Sequence, residues 1–207
     1  MMRRLSLNTT AFTCLIVFSI WLISSGCSEN KISESDNLKP DVSINYVYYE
    51  IRGMTESILR HQLDKLGPAG EGRLQHDAYT EWYVDWYYPN SEVNGSCATG
   101  PITVTVTITH TFPEWNIPPD ASQELVKKWN GYLEALQTHE AGHRQIGIDA
   151  GDEILRTLNK LSVYPTCAEL EQVADTTGQN ILDEFRQKEV IYDQTTQHGA
   201  SQGARFP

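Results

Sequence analysis

The segment His139-Glu140-Ala141-Gly142-His143 brings together, at one spacing, the residue types that a zinc hydrolase needs. On a helix, residues four apart share a face one turn above each other, so both imidazoles can grip one Zn2+ through ring nitrogens. Glu140, beside the first histidine, can act as general base toward a water whose pKa zinc lowers to about 7. Only three positions of this HExxH pattern are fixed, and it also arises in helices that bind no metal. The surrounding elements have to decide.

Those elements follow the order of an α+β domain. Residues 42–51 (VSINYVYYEI) are β-branched and aromatic and read as a strand ended by Gly53. Thr55 opens a short amphipathic helix with Ile58, Leu59, Leu63 and Leu66, stopped by Gly67-Pro68. A second strand spans 78–88, with Trp82, Val84 and Trp86 at period two, and 89–97 reads as a turn region. In the third, Ile102, Val104, Val106 and Ile108 alternate with threonines, burying one face and wetting the other. Asp120, with Gln123 three residues on, is a capped start for a helix running towards Lys160. His139 and His143 continue its Tyr132–Leu136 stripe and should face the sheet. Gly142, Gly147 and Gly151 predict a bend or break there. Thr166, with Glu169 as capping partner, opens a last helix carrying Leu170, Val173, Ile181, Leu182 and Phe185. The tail from Tyr192 is polar and Gly-rich and reads as non-helical. The expectation is a small antiparallel sheet of about three strands packed on two long helices, the first carrying HExxH: a zincin-like layout.

A catalytic zinc site needs a third protein ligand, the fourth position being left to water. Asp149 stands where metzincins place theirs, but on an unbroken helix it lies about 120° around from His143. Glu153 recurs on the same helical run, Glu169 has its capping role, and Glu171 opens the last helix in gluzincin order. His198 is the preferred candidate: it sits in an aperiodic tail where core packing gives no reason for a histidine. Asp193 would then orient a ligand from behind, and Tyr192 would donate a hydrogen bond to the developing oxyanion. His61, His76 and His110 read as surface or packing residues.

The N-terminus predicts export. Arg3 and Arg4 precede a largely apolar run of 13 residues, Ala11 to Ile23, too short to span a bilayer. Ser24-Ser25-Gly26 then leads to Cys27 in the manner of a bacterial lipobox, with Ser24 where leucine is usual. Residues 1–27 are expected to be a signal ending at a lipidated Cys27, 28–41 a flexible tether, and 42–207 one folded domain. The protein would reside in the periplasm or cell envelope, held to the membrane by its lipid. Of the other cysteines, Cys14 lies inside the signal, leaving Cys97 and Cys167. In an exported domain this pair is expected to form a disulfide. A thiolate zinc site is the competing use, but neither cysteine has a close-set partner.

From Cys27 onward 14 Lys and Arg face 27 Asp and Glu, a balance of −13 with His neutral. Such a chain repels nucleic acid and anionic polymers, which excludes nucleic-acid binding as an expected function.

The tail Tyr192-Asp193-x-x-Thr196-x-His198-Gly199-x-x-Gln202-Gly203-Ala204, together with the HEAGH helix, resembles the bacterial family called domain of unknown function 922. Cys97 before the Thr/Val strand, Gly67-Pro68 and the Trp82–Trp86 strand resemble it too, so the likeness covers about residues 42–207. Members are described as secreted zinc-dependent proteases on the strength of the motif. The resemblance implies an envelope metalloprotease with Zn2+ as cofactor and a peptide or protein substrate, and it joins His139, Glu140, His143 and His198 in one constellation. Two other readings stay open: a non-catalytic envelope binding module, and a zinc amidase acting on cell-wall peptides.

Overall fold

The computed structural model describes residues 38–70 and 75–207. The expected signal, Cys27 and residues 28–37 of the tether lie outside the described residues. The elements run β1 (Asp41–Ile51), α1 (Glu56–Leu66), β2 (Tyr79–Tyr87), β3 (Asn90–Val93), β4 (Ser96–Thr99), β5 (Thr103–Trp115), α2 (Gln123–Leu158) and α3 (Cys167–Thr196), ending in a 3-10 turn at Ala200–Gln202. The architecture is α+β: a three-stranded sheet carries two long helices, with α1 as the third helix. None of the described helices is long and apolar enough to cross a membrane.

The sheet has the order β1-β5-β2 and is mixed, which corrects the antiparallel expectation. β2 runs antiparallel to β5, whereas β1 runs parallel to it, with Tyr46 opposite His110. A parallel neighbour requires a long crossover, and here α1, β2 and the β3–β4 hairpin all intervene between β1 and β5. The segment read as a turn region is that hairpin, closed at Asn94-Gly95 where both residues have positive φ.

β5 sets the polarity of the domain. Val104, Val106, Ile108, His110 and Phe112 point under the helices, and the intervening threonines face away. Two apolar clusters result. One joins Val104, Val106 and Ile108 to Ala150, Ile154 and Leu158 of α2 and to Ile181, Leu182 and Phe185 of α3. The other joins Phe112 and Trp115 to Leu59 and Leu63 of α1 and to Trp129, Tyr132 and Leu136 of α2. Between them, along β5 and along α2, the buried residues turn polar: His110, His139, Glu140 and His143. The candidate site occupies that gap.

α2 runs 36 residues without interruption and is capped by Ser122, whose Oγ accepts from the Leu125 N–H at 3.2 Å, not by Asp120. The expected break at its glycines is absent because they serve as close-approach points. A Cβ at Gly147 would lie 2.6 Å from Trp82 Cγ, and one at Gly142 or Gly151 would run into Tyr192 or Val106. Each glycine costs about 1 kcal/mol of helix propensity, which close packing against the neighbouring layer offsets. Cys97 and Cys167 form the disulfide, tying the hairpin to the first turn of α3. Thr166 caps α3 as expected, accepting from the Glu169 N–H at 3.2 Å. The helix, however, continues to Thr196, so Tyr192 and Asp193 lie on its last turns and not in an irregular tail.

Candidate metal centre

His139 and His143 face inward from α2 and are nearly buried. Opposite them α3 presents Asp193, whose Oδ1 lies 3.2 Å from His139 Nε2 and 3.1 Å from His143 Nε2. The ligand-capable atoms of His139, His143 and Asp193 all fall within 4.8 Å of one another, so this group could hold a metal ion. It is the one such group found among the described residues.

Behind each imidazole stands an acceptor. Gln202 Oε1 lies 3.0 Å from His139 Nδ1, and Glu189 Oε1 lies 3.1 Å from His143 Nδ1. With Nδ1–H donating to these oxygens, Nε2 of each histidine is left to face Asp193, where it donates to Oδ1 when protonated and would turn its lone pair to a metal ion, as metal-binding histidines do. Glu189 is itself fixed by the Trp82 indole N–H at 2.7 Å. Tyr192 stacks on the His139 ring, and its hydroxyl donates to the His139 carbonyl at 3.0 Å and accepts from Gln202 Nε2 at 3.2 Å.

Glu140 lies on the neighbouring side of α2 and turns into the sheet, only 3% exposed. Its Oε2 accepts from Thr80 Oγ1 at 2.6 Å, and Thr80 Oγ1 lies 2.8 Å from His110 Nδ1. With Glu140 ionised, the His110 N–H donates to Thr80 and Thr80 donates to the carboxylate. His110 is neutral there, because burial, Arg144 and His143 pull its pKa down to about 4.

The electrostatics favour a cation. Burial pulls His143 down, but hydrogen bonds to Asp193 and Glu189 and the charge of Glu140 outweigh it and push its pKa up to about 10 without metal. Burial raises Asp193, but hydrogen bonds from His139 and His143 and the charges of His143 and His198 hold it well below the usual carboxylate range. Burial also pushes the Glu140 carboxyl upward, against the Thr80 hydrogen bond and the two histidines. A proton on His143 thus stands where a metal cation would.

Of the residues singled out from sequence, the fold brings together His139, Glu140, His143, Tyr192 and Asp193. His198 was expected as third ligand with Asp193 behind it; in the structure Asp193 completes the converging group. His198 lies outside it, with a side chain 63% exposed and Nδ1 3.4 Å from Asp193 Oδ2. The reason is the extension of α3, which carries Asp193 to the histidines and leaves His198 in the turn beyond. Asp149 is bonded to Gln145, Glu153 to Arg156 and Thr157, and Glu171 to Asn90. Sequence reasoning missed Glu189, Gln202, Thr80 and the place of His110. A signal for Glu189 was present: with Phe185, Tyr192, Asp193 and Thr196 it continues the buried stripe of α3.

A profile of the family described as "Bacterial protein of unknown function (DUF922)" matches residues 46–199, and the chain belongs to that family. No curated protein and no solved structure matches the chain.

Proposed function

We propose that the chain is a zinc-dependent hydrolase of peptide bonds. The observation that carries this reading is the convergence of His139 Nε2, His143 Nε2 and Asp193 Oδ1, with a further carboxylate, Glu140, next door and outside the ligand set. Two imidazole nitrogens and one carboxylate oxygen suit zinc, and a free position would remain for water or substrate. The same donor set serves iron(II) oxygenases, but Glu140 gives the hydrolytic reading its preference, because oxygenation chemistry has no call for a neighbouring base.

A zinc ion held there would supply Lewis acidity toward a peptide carbonyl and acidify water. Glu140 takes one proton from the attacking water as the new C–O bond forms. It returns that proton to the amine nitrogen as the C–N bond breaks. Thr80 holds the carboxylate through Oε2 so that it need not reorient between the two transfers. Gln202 and Glu189 keep both imidazoles in the binding tautomer.

We further place the protein in the cell envelope as a lipoprotein anchored at Cys27, a reading that the Cys97–Cys167 bond supports because such bonds persist in oxidising compartments. Labelling with a palmitate analogue tests the anchor; an unlabelled wild-type protein removes it.

The deciding experiment compares wild type with Glu140→Gln. Wild type should bind zinc and cleave an unfolded protein substrate, and the variant should bind zinc equally but lose turnover by 100-fold or more, in the range of ~10² to 10⁴ that proton transfer contributes. Equal turnover would remove Glu140 as base. A second reading, a metal-holding binding module without hydrolysis, draws on the burial of Glu140; zinc bound to a wild type inert toward both protein and cell-wall peptide substrates would favour it.

A further inference from the structure

Asp193 uses its two oxygens differently. Oδ1 faces the Nε2 atoms of His139 and His143, while Oδ2 faces Nδ1 of His198 at 3.4 Å. Beside His198 stands His76, the two ring centroids 6.2 Å apart. We propose that Asp193 is a bridging carboxylate and that a second divalent cation binds between its Oδ2, His198 and His76. The proposal rests on the reading that His139, His143 and Asp193 hold the first ion.

The spacing fits. With zinc–nitrogen bonds of about 2 Å, two imidazoles on one ion have ring centroids roughly 5–6 Å apart. The His76–His198 pair, at 6.2 Å, stands just beyond that range, so the exposed His198 ring would turn inward to share an ion with His76, and His139–His143, at 4.9 Å, lies at the narrow end. Two-metal hydrolytic sites place their ions about 3.5–4 Å apart, the span that the two oxygens of one carboxylate bridge.

The backbone is arranged to put both histidines there. Gln197 and His198 have φ of 53° and 51°, followed by Gly199 at 81°. A helix needs only one left-handed residue to terminate, and a second non-glycine one costs on the order of 1 kcal/mol. That conformation swings the His198 imidazole back over the last turn of α3 onto Asp193. His76 is held by its N–H to the Pro68 carbonyl at 2.9 Å, and its neighbour Asp77 is locked by Arg60 and by the Tyr132 hydroxyl. Its ring lies across Gly70, where a Cβ would come within 2.7 Å of Nε2.

Charge also permits a second ion. Glu140, Glu189 and Asp193 bring three carboxylates to the region, and one divalent cation offsets two of those charges.

The test is zinc titration of the chelator-stripped protein by calorimetry, with bound metal quantified after dialysis, on wild type, His198→Asn and His76→Gln. Asparagine tolerates the left-handed conformation, and melting curves verify that both variants fold. Wild type should take up two equivalents, the second more weakly; each variant should take up one, with the first affinity within threefold of wild type. One equivalent in wild type, or two in both variants, would overturn the bridge. No zinc at all in wild type would instead overturn the first-ion reading beneath it. Cobalt(II) supplies an independent readout: two ions sharing Asp193 should give an exchange-coupled magnetic resonance signal, and two uncoupled ions would refute the shared carboxylate.

Discussion

Tyr192 lies flat on His139, ring planes 10° apart and centroids 5.1 Å apart, while its hydroxyl donates to the carbonyl of that same histidine at 3.0 Å. One residue of α3 therefore fixes both the ring and the backbone of a candidate ligand on α2. Tyr192→Phe keeps the stack and drops the hydrogen bond, and should cost about 1 kcal/mol with metal affinity changed only a few-fold. Tyr192→Ala also loses the ring, and should cost about 2–3 kcal/mol with a tenfold or greater loss of affinity. Thermal melts and zinc titrations separate the two; equal effects would mean that the ring positions nothing.

Glu189 and Gln202 stand behind Nδ1 of the two histidines. Glu189→Ala and Gln202→Ala should each weaken zinc by about 10- to 100-fold. Glu189→Ala should destabilise the fold more, since it also strips the Trp82 indole N–H of its acceptor. Chelator competition gives the affinities.

Zinc binding should release a proton near neutral pH. His143 holds one up to about pH 10 in the metal-free state, so zinc affinity should rise with pH through the neutral range and level off above 10. Calorimetry in buffers of different ionisation enthalpy counts the proton. The metal-free stability runs the other way. The His143 pKa is raised in the fold above its ordinary 6.5, so its contribution is complete below pH 6.5 and is lost as pH rises through 10. Asp193 is lowered below its ordinary 3.8, so the same ion pair fails from the acid side as pH falls beneath that value.

Much of this was legible in the sequence, and the reasons differ by element. The alternation of Val104, Val106 and Ile108 with threonine reveals β5, because a half-buried strand imposes period two. HEAGH at the end of an apolar stripe reveals the inward histidines. The parallel partnership of β1 was hidden, since nothing local records which neighbour a strand takes. The end of α3 misled for a physical reason: Glu189, Asp193 and Thr196 are polar because the face they cover is polar, and a stripe search for apolar residues stops at Phe185. Thr80 and His110 face each other only through the register of β2 with β5.

Gly147→Ala should cost about 1–3 kcal/mol by overpacking against Trp82, leaving zinc stoichiometry intact. Gly142→Ala meets Tyr192 and should lower stability and zinc affinity together. Denaturant melts and metal analysis read both; an unperturbed affinity in Gly142→Ala would break the link between Tyr192 and the site.

The disulfide acts at the opposite end of α3 from Asp193, roughly 39 Å along the helix axis. Replacing Cys97 and Cys167 together by serine should lower stability by about 2–4 kcal/mol and leave zinc affinity of the folded protein within twofold. Denaturation midpoints and titration at low temperature check both halves.

Asp193 follows His143 by 50 residues, and Gln202 follows His139 by 63. A ribosome supplies residues in order, at about 5–20 per second, so both histidines exist for several seconds before their carboxylate does. The group of His139, His143 and Asp193 thus closes only when the far end of α3 settles against α2. By then the Cys97–Cys167 bond can already have moored the near end of that helix. What remains is the swing of one tethered rod, a far shorter search than a free segment would face.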